Sequence, residues 1–308
     1  MDLKDAKAGE RIEDGVPSAA SSPSVSVIVP HYNDLPRLDA CLAALGRQTY
    51  PPDRFEIIVA DNASPQGQAA VAATIGGRAK LVIVGERGAG PARNGGVAAS
   101  RGEILAFTDC DCLPDPDWLA EGVRALEQHG FVGGGMRVLV EDPRRVTGAE
   151  AFELVFAFDN ESYVKRKGFT VTANLFCSRR LFDEVGGFRV GVSEDIEWSH
   201  RASAAGHRIG YAQGARVGHP ARRTWPELVA KWRRLNAETY ALAVSRPTGR
   251  PFWVLRACAL PISALVHTPQ VLASNELTPG QKLKALAVLY RLRLWRFAEA
   301  LRIAMRPQ

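Results

Sequence analysis

Residues 103–112 read EILAFTDCDC, an apolar run with the character of a buried strand that ends in two aspartates one residue apart. Upstream the same arrangement recurs. Residues 25–29 (VSVIV) are short, β-branched and closed by Pro30, and residues 55–60 (FEIIVA) deliver Asp61 and Asn62 at their end. Between these runs lie segments with apolar residues at helical spacing: Leu35 to Leu45 ending at Gly46, Gln66 to Ile75 stopped by Gly76-Gly77, and a Gly-broken stretch from Pro91 to Ser100. A further strand is expected at Lys80 to Val84. Strand and helix alternating over 110 residues predict an α/β domain: an open, mainly parallel sheet with helices on both faces. Ligands of such sheets sit beyond the carboxyl ends of the strands. The clusters Pro30-His31-Tyr32-Asn33, Asp61-Asn62 and Asp109-Cys110-Asp111 all lie there, so one shared crevice is expected.

Downstream, a helix is expected from Asp117 to about His129 and a strand from Phe131 to Val140, with Gly133-Gly134-Gly135 at its entry. SEDIEWSHRASAA (193–205) reads as a helix with Ser193 as N-cap, acids in the first turn and Gly206 as its stop. Another strand is expected from Arg208 to Val217, followed by His219.

The chain has 308 residues, 46% of them hydrophobic, and a formal charge of +6. From residue 221 onward there are 15 Lys and Arg against 4 Asp and Glu, whereas the preceding residues carry 24 against 29. A mildly acidic body is therefore followed by a basic region, and basic regions meet phosphates. Residues 1–23 lack an apolar core segment, so a solvated tail and no secretory signal are expected. Five scattered cysteines in so long a chain do not suggest a disulfide framework, and a reducing cytoplasm fits them. Cys110 and Cys112 lack a second Cys/His pair at usable spacing, so they read as small buried residues rather than zinc ligands.

Beyond His219-Pro220 the sequence turns helical. Trp225 to Ala243 is rich in Trp and Arg, and Gln281 to about Met305 has the composition of a membrane-surface helix or of an ordinary packed helix with a basic face. Residues 252–274 approach the roughly 20 apolar residues a membrane span needs, but Arg256, Pro261, His267, Pro269 and Gln270 interrupt them. An interfacial or packed position is expected instead. The Arg/Trp interleaving from Arg222 to Arg234 comes without any groove-reading motif, so nucleic acid is not an expected partner.

In an extended segment, Asp at i and i+2 point the same way, so Asp109 and Asp111 can face one hard cation, Mn²⁺ or Mg²⁺, whose open positions suit a diphosphate. Alternatively, one carboxylate caps the turn at Leu113-Pro114 and the other is solvated. The segments 26–64, 88–111 and Glu194-Asp195 together resemble the family 2 glycosyltransferases of the GT-A fold. The shared motifs, in order, are a strand into VPHYN, a strand into DN, ARNGG before the strand that carries DxD, and ED after GGF. The resemblance covers about residues 24–220.

It implies a GT-A (Rossmann-like) catalytic domain over 24–220, with a nucleotide-sugar-binding half (24–112) and an acceptor-binding half (113–220); the charge and composition of residues 221–308 lead to the separate expectation of a helical, basic, membrane-associating region. The resemblance also implies an inverting transfer from a UDP-sugar to a lipid-linked or polysaccharide acceptor, as in surface polysaccharide biosynthesis. Such an enzyme would work in the cytoplasm, peripherally on an anionic membrane surface at the inner face of the plasma membrane. On this resemblance Asp61 accepts from the uracil ring N–H, while Pro30, Tyr32 and Asn33 line the nucleoside. Arg93 pairs with donor phosphate or stacks on the base, and Asp109 lies near the ribose and donor sugar. Asp111 is the principal metal ligand, with Asp109 beside it and His219 as a third. Asp195 is the general base, braced by Glu194, and Asn174, Trp198 and Arg201 line the acceptor site. A catalytically degenerate sugar-nucleotide-binding scaffold would keep the fold but not this acid set. A nucleotidyltransferase would want a Gly-rich basic first loop, which VPHYNDLP is not.

Overall fold

The computed structural model describes residues 23–244 and 248–305, so the expected N-terminal tail lies outside the described residues except for Pro23. The first half follows the alternation: β1 (Val25–His31), α1 (Leu35–Leu45), β2 (Phe55–Asp61), α2 (Gly67–Ile75), β3 (Lys80–Ile83), α3 (Ala89–Ala98) and β4 (Ile104–Phe107). Then come β5 (Leu113–Pro114), α4 (Trp118–Leu126), β6 (Phe131–Leu139), α5 (Gly148–Phe156), the single turn α6 (Asn160–Ser162), β7 (Leu175–Ser178), α7 (Arg179–Val185), α8 (Glu194–Ala204) and β8 (Ile209–Pro220). Three long helices follow, α9 (Trp225–Val244), α10 (Gly249–Ala273) and α11 (Pro279–Ala304).

One eight-stranded sheet runs in the order β3-β2-β1-β4-β7-β6-β8-β5. The first four strands are parallel, and β7 enters antiparallel to both β4 and β6. From β1 the chain winds outward through β2 and β3, then returns to place β4 on the other side of β1. That reversal opens a crevice at the carboxyl ends of β1 and β4, where ligands of doubly wound sheets bind.

β1 runs through Pro30 to His31, past the expected stop. The Ile28 carbonyl accepts the Thr108 N–H at 3.3 Å, so alternate residues of β1 face β4. Pro30 directs its missing N–H to that side, just past the last rung, Ile28 opposite Phe107, while pairing with β2 continues to His31 opposite Asp61. Three glycines expected at the entry of β6 lie inside it, with a register shift between Gly134 and Gly135. A Cβ on Gly134 would stand 2.4 Å from the Asn174 side-chain amide, so the strand needs glycine there.

Apolar side chains fill both faces of the sheet. Val27, Val59, Leu38, Leu42, Trp118 and Phe176 build one core layer under α1, α2 and α4. Ile28, Phe107, Phe131, Phe182 and Trp198 build the other under α3, α7 and α8. A third layer joins α5 to the C-terminal helices through Phe152, Leu228, Ala264, Val271 and Leu289. α10 is one helix despite Pro261 and Pro269. Each proline removes a helical hydrogen bond, but Trp253, Ala257, Ala264 and Val271 are buried along one side, and tertiary packing outweighs the local loss.

The pair Gly95-Gly96 brings α3 onto the sheet. A Cβ on Gly96 would meet Ile28 Cγ2 at 2.7 Å, and one on Gly95 would meet Val84 Cγ2 at 2.5 Å. Both neighbours are stiff β-branched side chains that cannot swing away. Gly96→Leu is therefore expected to destabilise the fold by ~1–3 kcal/mol through overpacking, read as a lower urea midpoint. An unchanged midpoint would mean that α3 does not approach β1 this closely.

Candidate active site

The first loop is held by a buried polar knot. His31 Nε2 accepts the Asp34 N–H at 3.2 Å, so the neutral ring carries its proton on Nδ1 and donates it to Asp61 Oδ1 at 2.7 Å. The Ser64 hydroxyl donates to the same oxygen at 2.5 Å, and the Ser64 N–H reaches Oδ2 at 3.0 Å. Ser64 Oγ in turn accepts the Asn33 N–H at 2.9 Å. Asn33 adopts φ 56°, a left-handed conformation that asparagine tolerates. Tyr32 and Asn33 stand exposed at the crevice mouth, whereas Pro30 is buried in β1.

Asp61, expected to meet a base, is turned inward and only 1% exposed. As the structure has it, Asp61 pins the first loop to the end of β2. His31 falls in the expected crevice cluster without a role assigned to it; the signal for its pairing is a histidine at one strand end and an aspartate at the next. Asn62 ties down the loop before α3, donating to the carbonyls of Val84 (3.0 Å) and Glu86 (2.6 Å) and accepting the Gly88 N–H at 2.8 Å.

Asp109 to Cys112 is a turn rather than an extended segment, closed by the Cys112 N–H on the Asp109 carbonyl at 3.0 Å. The carboxylates converge because the chain reverses, not because the pleat alternates. Ligand atoms of Asp109, Asp111 and Cys112 lie within 4.8 Å of one another. Burial first, then the adjacent aspartates, push the Cys112 thiol well above its usual range.

His219, expected after a strand, lies inside β8, and its Nε2 stands 3.4 Å from Asp111 Oδ2. His219 Nδ1 donates to the Pro220 carbonyl at 2.8 Å, which leaves Nε2 with a lone pair toward Asp111. Phe158 packs on the ring at 4.9 Å between centroids. A carboxylate oxygen and an imidazole nitrogen facing each other at this separation match neighbouring ligands of an octahedral cation, roughly 3 Å apart.

Arg93 joins this turn to α8. Its guanidinium donates to Asp109 Oδ1 at 2.5 Å and to Glu194 Oε1, and the residue is 3% exposed. Burial opposes its charge, but Asp109 and Glu194 outweigh burial and hold Arg93 cationic above its usual range. Expected to meet a donor phosphate or base, Arg93 has these two carboxylates on its terminal nitrogens and acts as the brace of the site. Asn94, the next residue, donates to the Phe188 carbonyl (2.8 Å) and accepts the Phe188 N–H (2.9 Å), fixing the loop that leads into α8. A Cβ on Gly90 would fall 2.7 Å from Glu194 Oε2, so α3 must be bare where Glu194 lies.

Asp195 follows Glu194 in the first turn of α8. Its Oδ1 accepts the Ile196 N–H at 2.8 Å and the Ser193 hydroxyl at 3.1 Å. Ser193 thus orients Asp195 instead of capping the helix as expected. Burial raises the Asp195 carboxyl above its ordinary value, with these hydrogen bonds opposing. Burial raises Glu194 as well, against the pull of Arg93.

The expected acceptor residues turn out to be framework. Asn174 is fully buried, accepting the Trp118 indole N–H and donating to the carbonyls of Gly135 and Ala215, each at 2.9 Å. Trp198 is also fully buried, edge-on to Phe131 at 5.6 Å, with its indole N–H on the Gly186 carbonyl at 3.0 Å. Arg201 grips Glu197 at 2.7 and 2.9 Å and donates to the carbonyls of Val185, Gly186 and Gly187. The inward face of α8 belongs to the core, so its aromatic cannot stack on a ligand.

What does line the open space is basic. A cleft of about 470 Å³ beside Asp111 and His219 is walled by Arg37, Arg222, Lys231 and Arg234. Lys231 (2.8 Å) and Arg222 (3.1 Å) both pair with buried Glu153. The signal for this wall was the excess of cations beyond residue 220, although no motif marked which of them would reach the crevice.

Residues 26–196 match the family described as "Glycosyl transferase family 2". Glycosyltransferase AglE of Haloferax volcanii is 33% identical over 222 residues, covering 70% of this chain and 72% of that protein. Validoxylamine A glucosyltransferase of Streptomyces hygroscopicus subsp. limoneus is 32% identical over 162 residues, 50% of this chain and 35% of that one. Among solved structures, the mannosyltransferase PcManGT from Pyrobaculum calidifontis, in complex with GDP-Man and Mn²⁺, superposes with a TM-score of 0.60. It is 24% identical, and the match spans 94% of this chain and 88% of that one, a likeness of fold. With more than half of its residues inside the matched span, the chain belongs to glycosyl transferase family 2 and is a glycosyltransferase of the GT-A fold.

Proposed function

We propose that the chain is an inverting, metal-dependent glycosyltransferase. It moves a sugar from a nucleotide-diphosphate donor, expected to be UDP-linked, to a hydroxyl of a lipid-linked or polysaccharide acceptor met at a cytoplasmic membrane face. The observation that carries this reading is the Asp109–Arg93–Glu194 bridge, which couples the carboxylate turn after β4 to the helix start that bears Asp195. A donor held by the turn and a base held by the helix are thereby kept in one rigid frame. The structural neighbour's GDP-Man and Mn²⁺ support a nucleotide sugar and a divalent ion in this fold, without selecting the base or the sugar.

The residues present fit a divalent cation. Asp111 Oδ2 and His219 Nε2 would hold it, with Asp109 beside them, and a bound Mn²⁺ or Mg²⁺ would offset negative charge on the departing diphosphate. Asp195 takes the proton of the acceptor hydroxyl as that oxygen bonds to the anomeric carbon and the carbon–oxygen bond to the diphosphate breaks on the opposite face. The configuration therefore inverts. A carboxyl raised above its usual value is a stronger base for this proton, and its bonds to Ser193 and Ile196 aim it. Glu194 and Arg93 hold Asp195 in place, and Asp61 and His31 keep the first loop shaped for the nucleoside, with Tyr32 and Asn33 at its surface. Arg222 and Lys231 supply cations for phosphate oxygens at the cleft wall.

Calorimetry with UDP, a panel of UDP-sugars and GDP-mannose, each with Mn²⁺ and with EDTA, tests the donor site. Metal-dependent binding is expected, weakened at least about tenfold by Asp111→Ala and by His219→Ala. Undiminished affinity in Asp111→Ala would sink the metal assignment.

Asp195→Asn is expected to lower kcat by ~10²–10⁴ while raising Tm at neutral pH. The sign follows from linkage. The folded carboxyl titrates above its unfolded value of 3.8, so ionisation at neutral pH opposes folding and Asn removes that opposition. The Tm gain should shrink as pH falls through the folded value and vanish below 3.8, where both states bind the proton. A variant with full activity, or with a Tm difference independent of pH, would overturn the role of Asp195.

A further inference from the structure

α10 is long and apolar enough to cross a membrane, yet only 17% of its apolar window is buried. One stripe of the helix, Trp253, Ala257, Ala264 and Val271, is buried. The opposite stripe, Phe252, Leu255, Ile262, Leu265, Val266 and Leu272, steps at helical spacing and is 53–70% exposed. At ~1.5 Å per residue the stripe from Phe252 to Leu272 runs ~30 Å along the helix. Leu283 and Leu294 of α11 are exposed as well, at 70% and 57%. An exposed apolar stripe of this length on one helix face marks an interaction site.

Charge selects the occupant. Residues 249–308 hold nine Lys and Arg and two Glu, and α10 itself contains no acidic residue. A second copy would set this cationic rim against its own like, whereas an anionic surface would be drawn to it.

A second observation lies behind the strip. Arg296 of α11 is 6% exposed, stacked on the Trp232 ring at 3.8 Å, and has one long hydrogen bond, 3.5 Å to Asn236 Oδ1. Among the described residues no carboxylate pairs with it. Among the described residues of α9 and α11, four buried nitrogens lack partners: Arg293 Nε, Arg296 Nε, Trp232 Nε1 and Asn236 Nδ2. All four are N–H donors. Burial, then Arg293 and Arg256, push Arg296 down to about 9, as befits cations crowded together without an anion. Arg256, exposed on α10 beside Leu255, borders both the strip and this cluster.

We propose that the outer face of α10 lies in the plane of an anionic bilayer and that Arg256, with Arg293 and Arg296 behind it, receives a lipid phosphate. This rests on the reading above that the enzyme meets its acceptor at a membrane. An in-plane position fits better than a span. A hairpin crossing the bilayer would carry Arg291, Arg293, Arg296 and Glu299 of α11 into hydrocarbon, whereas an in-plane α10 leaves α11 on the protein side. The strip would then hold the crevice close to a lipid-borne acceptor.

The test is co-sedimentation of the purified full chain with phosphatidylcholine vesicles and with vesicles that also contain phosphatidylglycerol. Salt-sensitive binding to the anionic vesicles is expected. Leu255→Asp with Leu265→Asp, both at exposed positions, should reduce it at least about tenfold. Arg256→Gln should reduce it about fivefold on anionic vesicles. The proposal is overturned if the wild type does not bind or if the double variant binds equally. It is also overturned by a dimer that Leu265→Asp dissolves, or by resistance to alkaline carbonate, which would mean a span. Donor calorimetry on the same protein separates the two readings. Intact donor binding without vesicle binding removes only the docking face, and vesicle binding without donor binding removes only the proposed activity.

Discussion

The Arg93 guanidinium between Asp109 and Glu194 is the constraint on which the site depends. A nearly buried cation with two carboxylates ties three segments that are distant in sequence: α3, the turn after β4 and the start of α8. Removing one partner of such a buried set leaves an uncompensated charge, at a penalty of ~3–5 kcal/mol, so the three segments move together or not at all. Asn94 reinforces the tie from the next residue by clasping Phe188. The ARNGG motif thus combines two tasks. Its polar pair braces the site, and its glycines let α3 lie on β1 and β2 closely enough for Arg93 to reach.

The site stores instability in a form that chemistry can use. Asp195 and Glu194 are acids whose charge burial disfavours, and the fold accepts both because hydrogen bonds and Arg93 offset part of the cost. The pair proposed to bind the metal is built the same way. His219 is oriented by the Pro220 carbonyl and by Phe158, and its lone pair is aimed at Asp111 before any cation arrives. Preorganisation of this kind costs stability in the free protein and spares reorganisation during the reaction. The neutral His31 knot at Asp61 belongs to the same economy of buried polar groups that are satisfied locally, and there it shapes a loop rather than doing chemistry.

On the proposed membrane reading, the C-terminal helices connect this chemistry to location. α9 contributes Lys231 and Arg234 to the cleft and Trp232 and Asn236 to its contact with α11, while α10 turns its unburied stripe outward. One basic region therefore serves two surfaces, the cleft wall and the outer strip.

By itself the sequence determined the alternation of strand and helix, the parallel half of the sheet, and the placement of polar clusters at strand ends. These follow from local periodicity and turn chemistry, which need only near neighbours. It also pointed to Asp109 and Asp111 at a strand end and, through the resemblance to family 2 glycosyltransferases, to Asp195 and His219. What only the tertiary structure decided is which atoms meet. Trp198 and Asn174 look like ligand-facing residues, but Phe131, Phe182 and Phe188 bury the first and β6 and β8 the second, and burial depends on which face of an element a distant segment covers. Arg93 looked like a donor contact, yet Glu194, 101 residues away, claims it. The convergence of Asp109 and Asp111 came from a turn, His219 fell inside a strand, and the two prolines of α10 left its helix intact. For the buried Trp198 and Asn174, for Arg93 and for the prolines of α10, a long-range contact outweighed a local preference worth only ~1–3 kcal/mol, and local preference is all that a linear reading can weigh.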